Sequence, residues 1–259
     1  MTTDYNLISN QYKKAREHPW RTQSELFSLM NLIGNLSGKK VVDVACGEGW
    51  LTRELRKAGA SEVVGVDISQ EMIALALAQE TKEPLGIEYR LEDARVPRSS
   101  EQFDLCVSNW LLVYAHNREE LGVMCRGLAQ RTKPGGRFVT LTVNPELYLM
   151  RSHPPDFRKY GVEARLPASA YEGAPLVWTI YLDDSSFEIE NYYHPFEAYE
   201  SALRDAGFRD VAFHHMTLPP DATKGEKRAY WEEFLSHPPG IMIDGIKTWI
   251  GSSDDRTLS

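Results

Sequence analysis

Apolar positions along this chain change period several times. Residues 4 to 16 and 22 to 35 read as helices, the second with Leu26, Leu29, Met30 and Ile33 at helical spacing. Gly34 and Gly38 break that pattern, and Lys39-Lys40 lead into a short apolar run, Val41 to Ala45, that reads as a buried strand. A regular alternation follows. Trp50 to Ala58 predicts a helix with Leu51, Leu55 and Ala58 on one face and Gly59 as its stop. Val63 to Val66 predicts a strand, and Ser69 caps a helix running to about Thr81. Ile87 to Leu91, Phe103 to Ser108 and Phe138 to Val143 are further strands, with a helix from Arg118 to Arg131 between the last two. Strand and helix in turn imply parallel strands joined by right-handed crossovers.

At Asn144 the pattern changes. Residues 144 to 195 accumulate six prolines and many aromatics, and Val177 to Leu182 and Phe187 to Tyr193 predict two strands around an Asp183-Asp184-Ser185-Ser186 turn. This stretch reads as an inserted β-hairpin cap. Phe196 to Ala206 then reads as a helix stopped by Gly207, Val211 to Met216 as a strand, and 226 to 236 as a last helix. Residues 251 to 259 are expected to form a mobile tail. The fold expected is a doubly wound, Rossmann-like α/β sheet of about seven mostly parallel strands, with an antiparallel strand at the C-terminal edge and an N-terminal helical lid.

Composition narrows the function classes. The 259 residues, 42% hydrophobic and 25% charged, suit one globular unit with a substantial core. A net charge of −8 argues against nucleic acid and against an anionic membrane surface. No apolar run approaches the roughly 20 residues that span a bilayer. The start lacks the basic and apolar regions of a secretory signal, and three scattered cysteines suit a reducing compartment, so a cytoplasmic protein is expected.

The chemistry concentrates after the first strand. Asp43-Val-Ala-Cys-Gly47-Glu-Gly49 follows a strand and opens a helix, where glycines permit positive φ and let a ligand touch backbone. Asp67 ends the second strand, 20 positions beyond Gly47, where an acid can accept both ribose hydroxyls. A dinucleotide fingerprint places its third small residue at the Thr52 position and keeps the loop open for pyrophosphate. Here Trp50 directly follows the second glycine. It would crowd a pyrophosphate but can flank a smaller, phosphate-free nucleoside.

These residues resemble class I S-adenosylmethionine-dependent methyltransferases. Val41-Val-Asp-Val-Ala-Cys-Gly-Glu-Gly49 looks like their first motif, and Val63-Val-Gly-Val-Asp67-Ile-Ser-Gln-Glu-Met72 like the ribose motif. Glu92-Asp93-Ala94 looks like the adenine-edge motif, Phe103 to Trp110 like the end of strand four, and Lys133-Pro-Gly135-Gly136-Arg-Phe138 like the turn into strand five. A narrower resemblance links Tyr5, Tyr12, Pro19-Trp20-Arg21, Tyr192-Tyr193-His194-Pro195 and Ala206-Gly207-Phe208 to bacterial small-molecule N-methyltransferases of the toxoflavin (azapteridine) type.

The resemblance implies one methyltransferase domain over 1–250: a lid (1–37), a cofactor core (38–143), a substrate cap (144–195) and the rest of the core (196–250). It also implies roles. Asp67 would hold the ribose, Met72 would pack on adenine, Asp93 would accept the adenine amino hydrogen and the Ala94 backbone would meet the ring edge. Gly47, Ser108 and Asn109 would meet the methionine moiety, whose carboxylate Arg21 could pair. Asp43, Ala45, Gly49 and Ile68 complete the cofactor set, and Tyr5 and Tyr12 would close the lid. Plainer readings stand beside these: Met72, Tyr5 and Tyr12 as core residues, Asp93 as a solvated loop acid, Arg21 as a surface arginine.

Trp110, Trp178, Tyr181, Tyr192 and Tyr193 could sandwich a flat acceptor, or simply pack the cap. His116, His153 and His194 are the candidate general bases, useful to a phenol or alcohol more than to a ring nitrogen. Cys46 and Cys106 read as small buried apolar residues. The adjacent His214 and His215 face opposite sides of a strand, and no metal is expected. The expectation is methyl transfer to a small aromatic or heterocyclic acceptor, N-methylation favoured, in secondary metabolism. An O-methyltransferase and a non-catalytic S-adenosylmethionine sensor are the alternatives, with monomer or homodimer undecided.

Overall fold

The computed structural model describes residues 4–150 and 152–248, so the expected tail at 251–259 lies outside the described residues. Among the described residues ten strands and seven α-helices follow in chain order. The first helix, α1 (Tyr5–Lys14), is capped by Asp4, which accepts the Asn6 N–H. A 3₁₀ turn at Ala15–Glu17 and a π-helical turn at Arg21–Glu25 lead into α2 (Leu26–Ile33), which ends at Gly34 with φ 73°. The core alternation comprises β1 (Lys40–Val44), α3 (Trp50–Lys57), β2 (Glu62–Asp67), α4 (Gln70–Lys82), β3 (Glu88–Leu91), β4 (Phe103–Asn109), α5 (Arg118–Arg131) and β5 (Thr132–Val143). Ser69 caps α4 by accepting the Met72 N–H, and Asn117 caps α5 by accepting from Glu120. After β5 come β6 (Val162–Arg165), β7 (Pro175–Tyr181), β8 (Ser186–Tyr192), α6 (Phe196–Asp205), β9 (Phe208–His215), α7 (Glu226–Ser236) and β10 (Gly240–Lys247).

Seven strands form one sheet in the order β3-β2-β1-β4-β5-β10-β9. The pairings from β3 through β5 are parallel, and β10 runs antiparallel to both β5 and β9. Period-two alternation sends neighbouring residues into two different cores. Val41, Val63 and Leu105 join Leu29, Leu55 and Ile73 on one side, while Val42, Val64 and Cys106 join Leu128 and Leu203 on the other. Burial on both faces explains why these strands read as unbroken apolar runs. The cap is a separate antiparallel sheet, β6-β7-β8, whose Leu176, Trp178, Ile180, Phe187 and Ile189 pack into the first core.

Four features depart from the reading of the sequence. The helix expected over 22–35 begins as a π turn, which brings Arg21, Ser24 and Glu25 together inside the protein. Strand β5 starts at Thr132 rather than Phe138, because Thr132 already pairs with Phe103 of β4 and the pairing resumes at Arg137 after a register shift across the Lys133-Pro-Gly-Gly stretch. Strand β6 was not anticipated, being only four residues long. Strand β10 was missed because Gly240, Asp244 and Gly245 interrupt its apolar run and Pro238-Pro239 precede it. It supplies the antiparallel member, one place in from the exposed edge strand β9.

Candidate active site

The loops at the carboxyl ends of β1 to β4 surround a cavity of about 410 Å³, the crevice where doubly wound sheets place their ligands. Ala45, Gly47, Asp67, Ile68, Met72, Asp93, Ala94 and Asn109 line it, with Tyr12 and Tyr5 from α1 above. Two non-glycine residues hold positive φ at its walls, Ala45 and Trp110, both at 62°. That conformation is costly for a bulky side chain and tends to persist at functional sites.

Asp67 organises the loop as well as facing the cavity. Its Oδ2 accepts the Gly47 N–H and its Oδ1 the Ser69 N–H, each at 2.8 Å. Burial raises its pKa, an effect those two backbone donors oppose. Gly47 has φ 56°, and a Cβ placed there would find no protein atom nearer than 4.0 Å. Packing therefore leaves a cradle above this backbone. Gly49 differs: the Tyr89 ring fills the space its side chain would take, so this glycine is needed by the core, not by the cavity. Asp43 also sits behind the loop, fully buried, accepting the Thr52 hydroxyl at 2.6 Å, and burial pushes its pKa up to about 7. Ser108 is buried too, and it meets the cavity with neither side chain nor exposed surface.

The Glu92-Asp93-Ala94 turn is held from below. Arg131 donates to the Ala94 carbonyl at 2.6 Å and to the Asp93 carbonyl at 3.0 Å, and pairs with the buried Glu92 carboxylate. Asp93 itself grips Arg95, whose guanidinium lowers its pKa, so an adenine amino group there would share that carboxylate.

At the opposite end lies a charge cluster absent from the sequence reading. Glu25 is wholly buried and accepts from Arg21 (2.9 Å), Arg16 (3.4 Å) and Asn109 Nδ2 (2.6 Å). Arg16 also pairs with Glu48 at 3.2 Å. Two arginines line the large cavity, Arg16 and the Arg95 that pairs with Asp93, whereas Arg21 lines a different space. The signal for Arg16 was its place one helical turn after Tyr12, whose ring its guanidinium covers at 4.7 Å.

A second chamber adjoins the first across Tyr5, Tyr12, Trp110 and Tyr114. Its other walls are Trp20 and Arg21 from the N-terminal segment, Trp178, Ile180, Ile189 and Asn191 from the cap sheet, and Val162 and Pro239. It encloses about 40 Å³, room for a few waters and less than an aromatic ring occupies. Tyr5 and Tyr114 share a hydrogen bond over this junction, and Asn191 bonds Tyr114 from the cap.

Of the remaining candidates only His116 lines either space. Tyr181 points away from the chamber, bonded to Glu163 and Arg158, because β7 buries Leu176, Trp178 and Ile180 and turns odd-numbered neighbours outward. Tyr192 packs on His116 and Tyr193 on Tyr148, each with ring centroids 4.2 Å apart, and neither lines either chamber. His116 lines the large cavity and pairs with Glu120 at 2.8 Å. His194 is buried and donates to the Ala115 carbonyl at 2.8 Å, with its pKa lowered by burial. His153 is exposed and lines neither space. The three thiols are buried, and burial pushes that of Cys106 up to about 12.

Residues 41–136 match the family model described as Methyltransferase domain. The chain is similar to N-demethylindolmycin N-methyltransferase of Streptomyces griseus, 25% identical over 186 residues that cover 70% of this chain and 73% of that protein. It is also similar to the ubiquinone biosynthesis O-methyltransferase of Pseudomonas fluorescens (strain SBW25), 35% identical over 119 residues, 44% of this chain and 50% of that one. The chain thus spans about half the length of the latter relative. In fold it resembles an S-adenosylmethionine-dependent methyltransferase from Mesorhizobium loti, with a TM-score of 0.61, 22% identity, and coverage of 85% and 96% of the two chains. Magnesium protoporphyrin IX methyltransferase from Synechocystis PCC 6803 with bound SAH superposes with a TM-score of 0.52 at 19% identity, covering 93% of this chain and 84% of that one.

Residues 41–136 thus carry a methyltransferase domain on a fold shared with S-adenosylmethionine-dependent methyltransferases, and the group that such a fold binds is S-adenosylmethionine. The residues fit that group. The Gly47 cradle admits a ligand against bare backbone, and the buried Asn109 Oδ1 has no partner among the described residues.

Proposed function

We propose that this protein methylates a small, flat, nitrogen-bearing aromatic or heterocyclic compound, held in the aromatic chamber. The observation that carries this reading is the shared wall: Tyr5, Tyr12, Trp110 and Tyr114 line both the cofactor cavity and a chamber roofed by the cap sheet. In this reading Asp67 holds the ribose, Met72, Asp93 and Ala94 surround the adenine, and Arg16 rather than Arg21 faces the methionine carboxylate. The similar N-methyltransferase of a small natural product supports the choice of acceptor class.

The cofactor supplies an activated methyl group. The chain's task is to align the acceptor with it and exclude water. Aromatic walls orient a flat ring at small entropic cost. Among the described residues no histidine or carboxylate lines the aromatic chamber, and the hydroxyls of Tyr5 and Tyr114 have pKa values raised by burial. A ring nitrogen with a free lone pair needs no base there, whereas an alcohol would. The small chamber requires α1 and its Tyr5–Tyr114 bond to give way as the acceptor binds.

Two measurements test the reading. S-adenosylhomocysteine should raise the melting temperature by mass action, and NAD should not. Incubation with methyl-labelled S-adenosylmethionine and a panel of N-heterocycles and phenols should yield labelled N-methyl product by mass spectrometry. Product only from phenols would establish the O-methyltransferase instead. Tight cofactor binding with no product from the panel or from extracts of the source cell would favour a sensor.

A further inference from the structure

The aromatic chamber holds more hydrogen-bond donors than the protein uses. Trp20 Nε1, Trp110 Nε1 and Arg21 Nε are each buried without a partner among the described residues, and all three side chains line this chamber. They stand together. The Arg21 guanidinium lies 4.4 Å from the Trp20 ring centroid and 5.8 Å from that of Trp110, and the two indoles meet edge to face at 6.2 Å. Buried donors are normally satisfied, so three orphans on one chamber need an account. Among the described residues no acidic side chain lines the chamber, and no buried acceptor atom of its lining side chains is left unpaired. Arg21 has one carboxylate partner, Glu25, which also serves Arg16 and Asn109.

We infer that the acceptor is anchored by an anionic oxygen group, a carboxylate, received by Trp20, Trp110 and Arg21. The inference rests on the aromatic chamber being the acceptor site and names the substrate class it selects. An ionised carboxylate accepts and never donates, which complements the three unpaired donors. Charge-assisted bonds to guanidinium are the strong kind, and the shared Glu25 leaves Arg21 only partly neutralised. A carboxylate so engaged has its lone pairs committed, so it serves as anchor while the methyl group goes to another atom of the ring. Arg21 thereby acts on the acceptor, and Arg16 stays with the cofactor cavity.

Binding rather than turnover tests this, so a failure of the methyl-transfer reading registers separately in the product assay. The protein saturated with S-adenosylhomocysteine is titrated calorimetrically with benzoate, acetophenone and toluene. Benzoate should bind at least tenfold more tightly than either neutral probe. Arg21→Gln should weaken benzoate at least tenfold while changing S-adenosylhomocysteine affinity less than threefold. Trp110→Phe keeps a ring and removes only the N–H, so it should narrow the benzoate preference without unfolding the chamber. Equal or undetectable binding of the three probes would overturn the inference. So would acetophenone matching benzoate, or a preference that neither variant alters. Loss of S-adenosylhomocysteine binding in Arg21→Gln would return Arg21 to the cofactor and equally overturn it.

Discussion

Asp67 and Gly47, twenty residues apart in the chain, meet at 2.8 Å, with the Asp67 carboxylate accepting the Gly47 N–H. The residue proposed to hold the ribose therefore also sets the shape of the loop on which the methionine moiety would rest. Its two functions can be separated by substitution. Asp67→Ala removes the acceptor for ribose and loop together, and should cost about 2–4 kcal/mol in S-adenosylhomocysteine affinity. Asp67→Asn keeps one carbonyl acceptor and should cost about half as much. Isothermal titration reads both, with circular dichroism to confirm the fold. An unchanged dissociation constant in Asp67→Ala would take this residue out of the site.

The adenine-edge turn depends on a buried ion pair. Arg131 and Glu92 are 4% and 6% exposed, and Arg131 also serves three carbonyls, those of Ala94, Asp93 and Gly127. Breaking such a pair from one side strands the other charge, so Arg131→Met should lose about 3–5 kcal/mol of folding stability in urea denaturation. Adding Glu92→Gln should recover part of that loss. Additive destabilisation in the double variant would show that the two side chains act independently.

Asp43 makes stability depend on pH. Its folded-state pKa, about 7, lies above the ordinary 3.8 because the carboxyl is buried, so the native state holds a proton that the unfolded chain releases. Stability from this group is complete below about pH 4 and falls as pH rises toward 7, by up to roughly 4 kcal/mol at about 1.4 per pH unit. Asp67, raised in the same direction, adds to the slope. Asp43→Asn should flatten the decline in melting temperature between pH 4 and 8 and leave the acid side little changed. A variant with the wild-type slope would assign the decline to other groups.

Much of the cofactor half was legible because its signals are local. The Gly47 loop, the acid closing β2, the Ser69 cap and the Met72 position each follow from residues within a few places of one another, and the structure sets them around one cavity. Helix α5, expected over about Arg118 to Arg131, spans those residues, with Asn117 as its cap. What escaped depends on long-range pairing. Glu25 reaches the site only because a π turn rotates it inward, and Arg131 only because α5 passes beneath the Ala94 turn. Strand β10 inserts between β5 and β9 from the far end of the chain, and its glycines hide a run of burial that only neighbouring strands create. Grouping Tyr181 with Trp178 overlooked a rule available beforehand: three residues apart on a strand means opposite faces.

That parity gives the sharpest test of where the acceptor binds. Trp178 lines the aromatic chamber, and Tyr181, three residues on along β7, stands on the outer face against Arg158 and Glu163. If the chamber reads the acceptor, the two positions should separate completely. Trp178→Leu removes a wall and should lower kcat/KM by about 1–3 kcal/mol of transition-state stabilisation. It should leave S-adenosylhomocysteine affinity unchanged, since Trp178 does not line the larger cavity. Some stability is lost with the ring, so activity is compared well below each variant's melting temperature. Tyr181→Ala should alter neither constant. Tyr192→Phe and Tyr193→Phe, on rings that pack against His116 and Tyr148, should shift the melting temperature more than they shift KM. Equal losses of kcat/KM at Trp178 and Tyr181 would mean that the cap acts only through its overall stability. The acceptor would then have to be recognised by α1 and the Trp20-Arg21 segment alone.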